Sequence, residues 1–302
     1  MIEAWRTLLY CDEDHEAKNT RDPVAPATRS KEALQKVHTK RLEGGSQGEL
    51  QINTPYFGRT TLAGLESDEC GQAEFLAMSL SSVRRQITAC QECSRLRAYC
   101  ARVAQDKRAA FRDEIYWGRP VAGFGDRRAP LLVLGLAPAA HGANRTGRPF
   151  TGDSSSDFLM TAMHATGFAN MPTSRHRRDG LTLRDAYITG VVRCAPPDNR
   201  PSPTEIASCH EHLRAETAAL PRLRVVVALG RVAFDGYWRL MADRGITVKP
   251  RAKFEHGLVC APPGAPPVVA SYHPSRQNTN TGRLTPEMFE KVFETVREIL
   301  RR

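Results

Sequence analysis

The residues best able to do chemistry here are cysteines and a few strand-end polar groups. Cys90 and Cys93 form a C-x2-C pair, while Cys194 and Cys209 lie far downstream. Two thiolates three positions apart reach one metal from a tight turn, and a second pair from a distant strand–helix unit completes a four-thiolate site. Spacing alone leaves zinc and an iron–sulphur cluster equally open. Cys100 is a spare thiol near the first pair; Cys11, Cys70 and Cys260 have no visible partners in the sequence.

Three further segments carry unusual polar chemistry. GLAPAAHGANRTGRPFTGDSSSDF, residues 135–158, offers glycines that let a ligand approach the backbone. His141, Asn144, Arg145 and Arg148 are donors for a phosphate or a base, Phe150 is a flat face for stacking, and Asp153 is both a carboxylate and a helix cap. RCAPPDNRPSP, residues 193–203, stiffens Asn199 between prolines, and an amide presents the donor and acceptor that a pyrimidine edge requires. SYHPSRQNTNTGR, residues 271–283, places His273 before a polar, basic loop. Each has a plainer reading as turn, cap or solvated surface; their convergence on one edge of a sheet argues for more.

That convergence follows from the elements around them. Apolar runs at 131–136, 186–192, 223–229 and 267–271 lack polar alternation, as strands buried on both faces do. Helical patterns separate them at 153–166, 203–220 and 232–242, and a last helix from Thr285 places Met288, Phe289, Val292, Phe293, Val296 and Leu300 on one face. Ser202, Pro203 and Glu205 supply a capping box with proline at the first turn. Residues 76–105 read as helix broken at the cysteine pair. The expected fold is therefore α/β, a three-layer α/β/α sandwich, with ligands beyond the carboxyl ends of the strands.

Residues 1–75 show no sustained period and read as a loosely ordered extension to a domain at 76–302. The 302-residue chain is 41% hydrophobic and 25% charged, with no apolar run long enough to span a membrane. Acidic residues interrupt its start, where a secretory signal would stay apolar, so a cytoplasmic location is expected. Eight cysteines in that compartment argue for metal or redox chemistry rather than disulfides. The net charge of +10 suits a polyanionic partner.

Together, residues 135–153, the 191–203 segment with Cys209, and residues 271–285 closely resemble the uracil-DNA glycosylase superfamily, and within it the family 5 enzymes. The resemblance covers roughly residues 85–302 in the correct order. It implies a four-stranded parallel sheet, a structural [4Fe–4S] cluster on Cys90, Cys93, Cys194 and Cys209, and a monomer acting on double-stranded DNA. Excision of uracil, and of other deaminated bases such as hypoxanthine, would leave an abasic site. The loop at Gly135–His141 corresponds to the water-activating motif, but Ala137 stands where classical members carry Asp. Water positioning then falls to Asp153, Asn144 or backbone carbonyls. Phe150 matches the base-stacking aromatic, Asn199 the pyrimidine-reading amide and His273 the histidine that contacts the leaving base. Arg145 and the loop bearing Ser275, Arg276, Gln277 and Asn278 would contact the DNA. The rival is a metal-stabilised nucleic-acid-binding module without catalysis, which needs the cysteines and the charge but no pocket.

Overall fold

The computed structural model describes residues 50–54, 57–62 and 79–302. The first two stretches pair as an antiparallel hairpin, β1 (Leu50–Thr54) with β2 (Phe57–Leu62). Sequence periodicity did not announce these strands; the rest of the expected extension lies outside the described residues. The remaining elements follow from residue 79 onward. Helix α1 (Leu80–Ala89) is capped by Ser79, whose hydroxyl accepts from the Ser82 N–H. Cys90 leaves the helix in extended conformation, and Cys93 opens α2 (Ser94–Asp106). The break expected at the cysteine pair is thus a four-residue gap between two helices.

Strand β3 (Phe124–Gly125) precedes β4 (Leu131–Gly135), all of whose residues are buried. Then come α3 (Ala143–Thr146), α4 (Ser154–Ala165), β5 (Ala186–Gly190), α5 (Pro203–Ala218), β6 (Val225–Leu229), α6 (Arg231–Asp243), β7 (Val259–Cys260), β8 (Val268–Ser271), α7 (Arg276–Asn280) and α8 (Pro286–Arg301). The sheet order is β3-β5-β4-β6-β8-β7. Its four central strands are parallel, as the continuous apolar runs require. The expected four-stranded sheet is widened by β3 and β7, each two residues long and antiparallel to its neighbour. Two residues are too few to leave a periodic signature.

Side-chain alternation divides the core into two layers. Leu132, Leu134, Val226, Ala228, Val268 and Ala270 face α2, α5 and α6, where Tyr187, Leu213, Phe234 and Tyr237 pack with them. Leu131, Val133, Val225, Val227 and Val269 face α4 and α8, meeting Leu159, Met163, Phe289, Val292, Phe293 and Val296. The capping box at Ser202 forms as expected: its hydroxyl accepts from the Glu205 N–H at 3.2 Å, and Glu205 accepts from the Ser202 N–H at 2.7 Å. Met288 and Leu300 are only partly buried at the edge of this layer.

Candidate active site and cysteine cavity

The strand order creates the opening for a ligand. From β4 the chain goes to β5 on one side and then crosses to β6 on the other, so loops leaving the carboxyl ends diverge. Gly135 closes β4, and the Phe150 ring lies against it. A Cβ at Gly135 would stand 2.9 Å from the ring edge, so only glycine lets the ring settle there. Phe150 itself is left-handed, with φ 45°, a conformation costing on the order of 1 kcal/mol for a residue with a side chain. Tertiary packing therefore dictates that ring's position.

His273, two residues past β8, faces this ring with centroids 5.8 Å apart and planes tilted 32°. Gly230, at φ 91°, sits against the His273 Cβ, and its N–H donates to the Ser271 carbonyl at 2.7 Å. The His273 carbonyl accepts from the Ser275 N–H and from Asn278 Nδ2, both at 2.8 Å. Its imidazole has no hydrogen-bond partner among the described residues. Burial pulls the His273 pKa down to about 4, so the ring is neutral at pH 7.

Asp153 caps α4, its Oδ1 accepting from the Ser156 N–H at 2.9 Å and the Ser156 hydroxyl at 2.8 Å. Its Oδ2 takes no hydrogen bond from the described residues and leans on the 139–142 loop; a Cβ on Gly142 would lie 2.0 Å from it. A cap and a free carboxylate oxygen thus coexist in one side chain.

The cysteine set also converges. Cys90, Cys93, Cys194 and Cys209 line a single cavity together with Arg193 and His212. Burial raises the thiol pKa of Cys90, Cys93 and Cys209, the last to about 12. Binding a metal here must therefore release protons. Cys100 lies outside this lining, buried beside Cys194, with its thiol 3.6 Å from the Ala195 carbonyl. Among the described residues no three His, Cys, Asp or Glu side chains gather as ligands of a single ion.

A family model described as the uracil DNA glycosylase superfamily matches residues 122–297. The chain belongs to the uracil-DNA glycosylase superfamily. A type-5 uracil-DNA glycosylase of Thermus thermophilus is 50% identical over 207 residues, covering 68% of this chain and 92% of that protein. One from Mycobacterium tuberculosis is 46% identical over 224 residues, covering 74% and 82% respectively. A type-4 uracil-DNA glycosylase of Archaeoglobus fulgidus is 33% identical over 156 residues, covering 51% and 70%.

Within this superfamily fold the remaining candidates fall into distinct places. Arg145 is buried and spent internally: Nε donates to the His141 carbonyl at 2.8 Å, Nη2 to the Gly152 carbonyl at 2.8 Å, and Nη1 pairs with Glu114. Its guanidinium also covers the Phe111 ring at 3.8 Å. It braces the 141–152 loop. Asn144 is fully buried, with Nδ2 at 3.4 Å from the carbonyls of Cys100 and Ala140 and Oδ1 unpartnered. His141 shares a hydrogen bond with the Tyr116 hydroxyl at 3.1 Å, and burial lowers its pKa. Ala137 is half-buried against the layer that holds α6.

Asn199 is exposed, with φ 55° and no side-chain partner among the described residues, whereas Phe150 and His273 meet directly. In the last loop Ser275 starts α7 and Asn278 turns inward to hold His273. Gln277 is exposed, and Arg276 Nε donates to the Ser154 hydroxyl at 3.0 Å beside Asp153. The expected loops thus share one edge, while Arg145 and Asn144 face into the protein.

Sequence reading missed a buried charge network behind the cysteines. Glu216 accepts from the Gly123 N–H at 2.7 Å, the Tyr187 hydroxyl at 3.0 Å and the Thr189 hydroxyl at 2.6 Å. It pairs with Arg193 at 2.9 Å, and both are almost wholly buried. A helical signal existed: Cys209, Leu213 and Glu216 recur on one face of α5.

Proposed function

We propose that this chain hydrolyses the N-glycosidic bond of uracil in double-stranded DNA, leaving an abasic site. The observation that carries the reading is the Phe150–His273 pair over Gly135, an aromatic face opposite a neutral, unpartnered imidazole. The target nucleotide rotates out of the helix at a cost of a few kcal/mol, and stacking on Phe150 returns about 1–3 kcal/mol. As the C1′–N1 bond breaks, its electron pair moves into the base and onto the uracil oxygen. A hydrogen bond from His273 to that oxygen, made in a site with little water, is worth about 10²–10³ in rate.

Water then adds to C1′ of the sugar, and Asp153 Oδ2 is the carboxylate oxygen left to orient it and take its proton. The uracil anion takes a proton on release, which balances the hydrolysis. Asn199, held by its proline-rich turn, reads the pyrimidine edge once DNA brings it over the pocket. Ala137 leaves room where a carboxylate would otherwise crowd the base, which suits hypoxanthine as a second substrate. Gly135, His141 and Arg145 shape the loop, while Ser275, Arg276, Gln277 and Asn278 form the segment that meets the duplex.

Four thiols lining one cavity supply the four thiolate ligands that a [4Fe–4S] cluster takes. Bound there, the cluster would cross-link α1, α2, the loop after β5 and α5, a structural task. The protein acts as a monomer in the cytoplasm on this reading. Release of free uracil from a U·G duplex tests it, with Asn199→Ala and His273→Ala alongside. Excision by the wild type, reduced in both variants without loss of DNA binding, is expected. Binding without release of uracil or hypoxanthine would favour a binding module instead.

A further inference from the structure

A second concavity includes Gly147, on the segment that carries Phe150. Arg84, Arg85, Thr88, Trp117, Arg119, Gly147 and Arg177 line it, and among the described residues no acidic one does. Arg84, Arg85 and Thr88 share one face of α1. The Trp117 ring packs on Gly147, where a Cβ would stand 2.7 Å from the indole, and its Nε1 donates to the Pro120 carbonyl at 3.2 Å. That ring carries two guanidiniums, Arg177 at 4.5 Å from its centroid and Arg119 at 5.6 Å.

The four arginines are exposed, and among the described residues none has an ion pair or a side-chain hydrogen bond. Their neighbours Arg145, Arg148 and Arg193 are, by contrast, each paired with a carboxylate. Four cations around one groove, without carboxylate partners among the described residues, set up a positive potential that favours an anionic ligand. The groove is also built. Arg177 sits in a loop whose Asp179 accepts from the N–H groups of Arg175, His176 and Leu181 and binds Arg148 through both oxygens, at 2.6 and 2.9 Å. The indole then fixes two guanidinium planes, leaving their N–H edges for a ligand.

We propose that this groove is a phosphate clamp for the DNA backbone outside the excised nucleotide, a second contact site beside the base pocket. The inference rests on the excision reading above. Two residues, Arg148 and Pro149, separate Gly147 in the groove from Phe150 in the pocket, about 10 Å of extended chain at most. One continuous duplex, carrying a charge every ~1.7 Å of axis, spans that distance with several phosphates. Because Arg148 sits between the two and anchors the loop of Arg177, pocket and clamp share one support.

The test is single-turnover excision titrated with full-length protein, using Arg84→Ala/Arg119→Ala/Arg177→Ala and the matching Lys triple variant. Substrates are a long uracil-containing duplex and duplexes trimmed close to the uracil on either side. The Ala variant should need ~10-fold more protein for half-saturation and lose about 2–3 from the slope of log affinity against log salt. Its saturated rate should stay within about twofold of wild type. The defect should vanish on one trimmed duplex only, and the Lys variant should keep most of the salt slope. Unchanged half-saturation and salt slope on every duplex would overturn the clamp. Failure of the wild type to excise or bind would sink the excision reading instead, so the two failures are told apart.

Discussion

His273 titrating near pH 4 rather than near 6.5 has consequences for both stability and rate. The native ring stays neutral because burial penalises its charged form. An unfolded chain takes up that proton at about pH 6.5. Between these two values the unfolded state therefore binds more protons, and stability falls as pH drops from about 6.5 to about 4, then levels. At about 1.4 kcal/mol per pH unit, the gap corresponds to about 3 kcal/mol. Denaturant unfolding of the wild type and of His273→Asn across that window isolates the term, since other histidines cancel in the difference. The wild type should lose about 3 kcal/mol more than the variant on acidification. The single-turnover rate of the wild type should show no ionisation from His273 between pH 5.5 and 7.5 (a window about the ordinary histidine value). An ionisation near 6.5 that disappears in His273→Asn would refute the argument that the site is dry enough to hold a neutral donor.

Asp153→Asn should keep much of the α4 cap yet lower the excision rate by ~100-fold, while Asp153→Ala should in addition cost about 1 kcal/mol of stability; comparing single-turnover rates with melting curves separates the two jobs. Gly135→Ala should push the Phe150 ring aside and raise half-saturating protein ~10-fold on uracil DNA while leaving binding to undamaged DNA unchanged, as base stacking is lost. Glu216→Ala strands Arg193 in the core and should destabilise by about 3–5 kcal/mol, read from urea midpoints. Cys209→Ser should abolish absorbance near ~400 nm in a cluster-loaded preparation whereas Cys100→Ser should retain it, because Cys209 lines the cavity and Cys100 does not.

The sequence by itself determined the layers. Continuous apolar runs at β4, β5, β6 and β8 suit strands buried on both faces, and Ser202 with Glu205 announces where α5 starts. These are local properties, set within a few residues. The cysteine spacing and strand-end motifs were equally legible, since residue type and order carry their chemistry. Edge strands β3 and β7 were not legible, because two residues have no period. Nor were the fates of the arginines. Arg145, Arg148, Arg177 and Arg193 look alike in the chain. Folding buries Arg145, Arg148 and Arg193 on Glu114, Asp179 and Glu216 and leaves Arg177 on an indole facing solvent. The neutral state of His273 and its meeting with Phe150 likewise exist only after β4, β6 and β8 lie side by side. A side chain's type is covalent and local, but its partners, its dielectric and hence its charge are set by what distant segments pack against it.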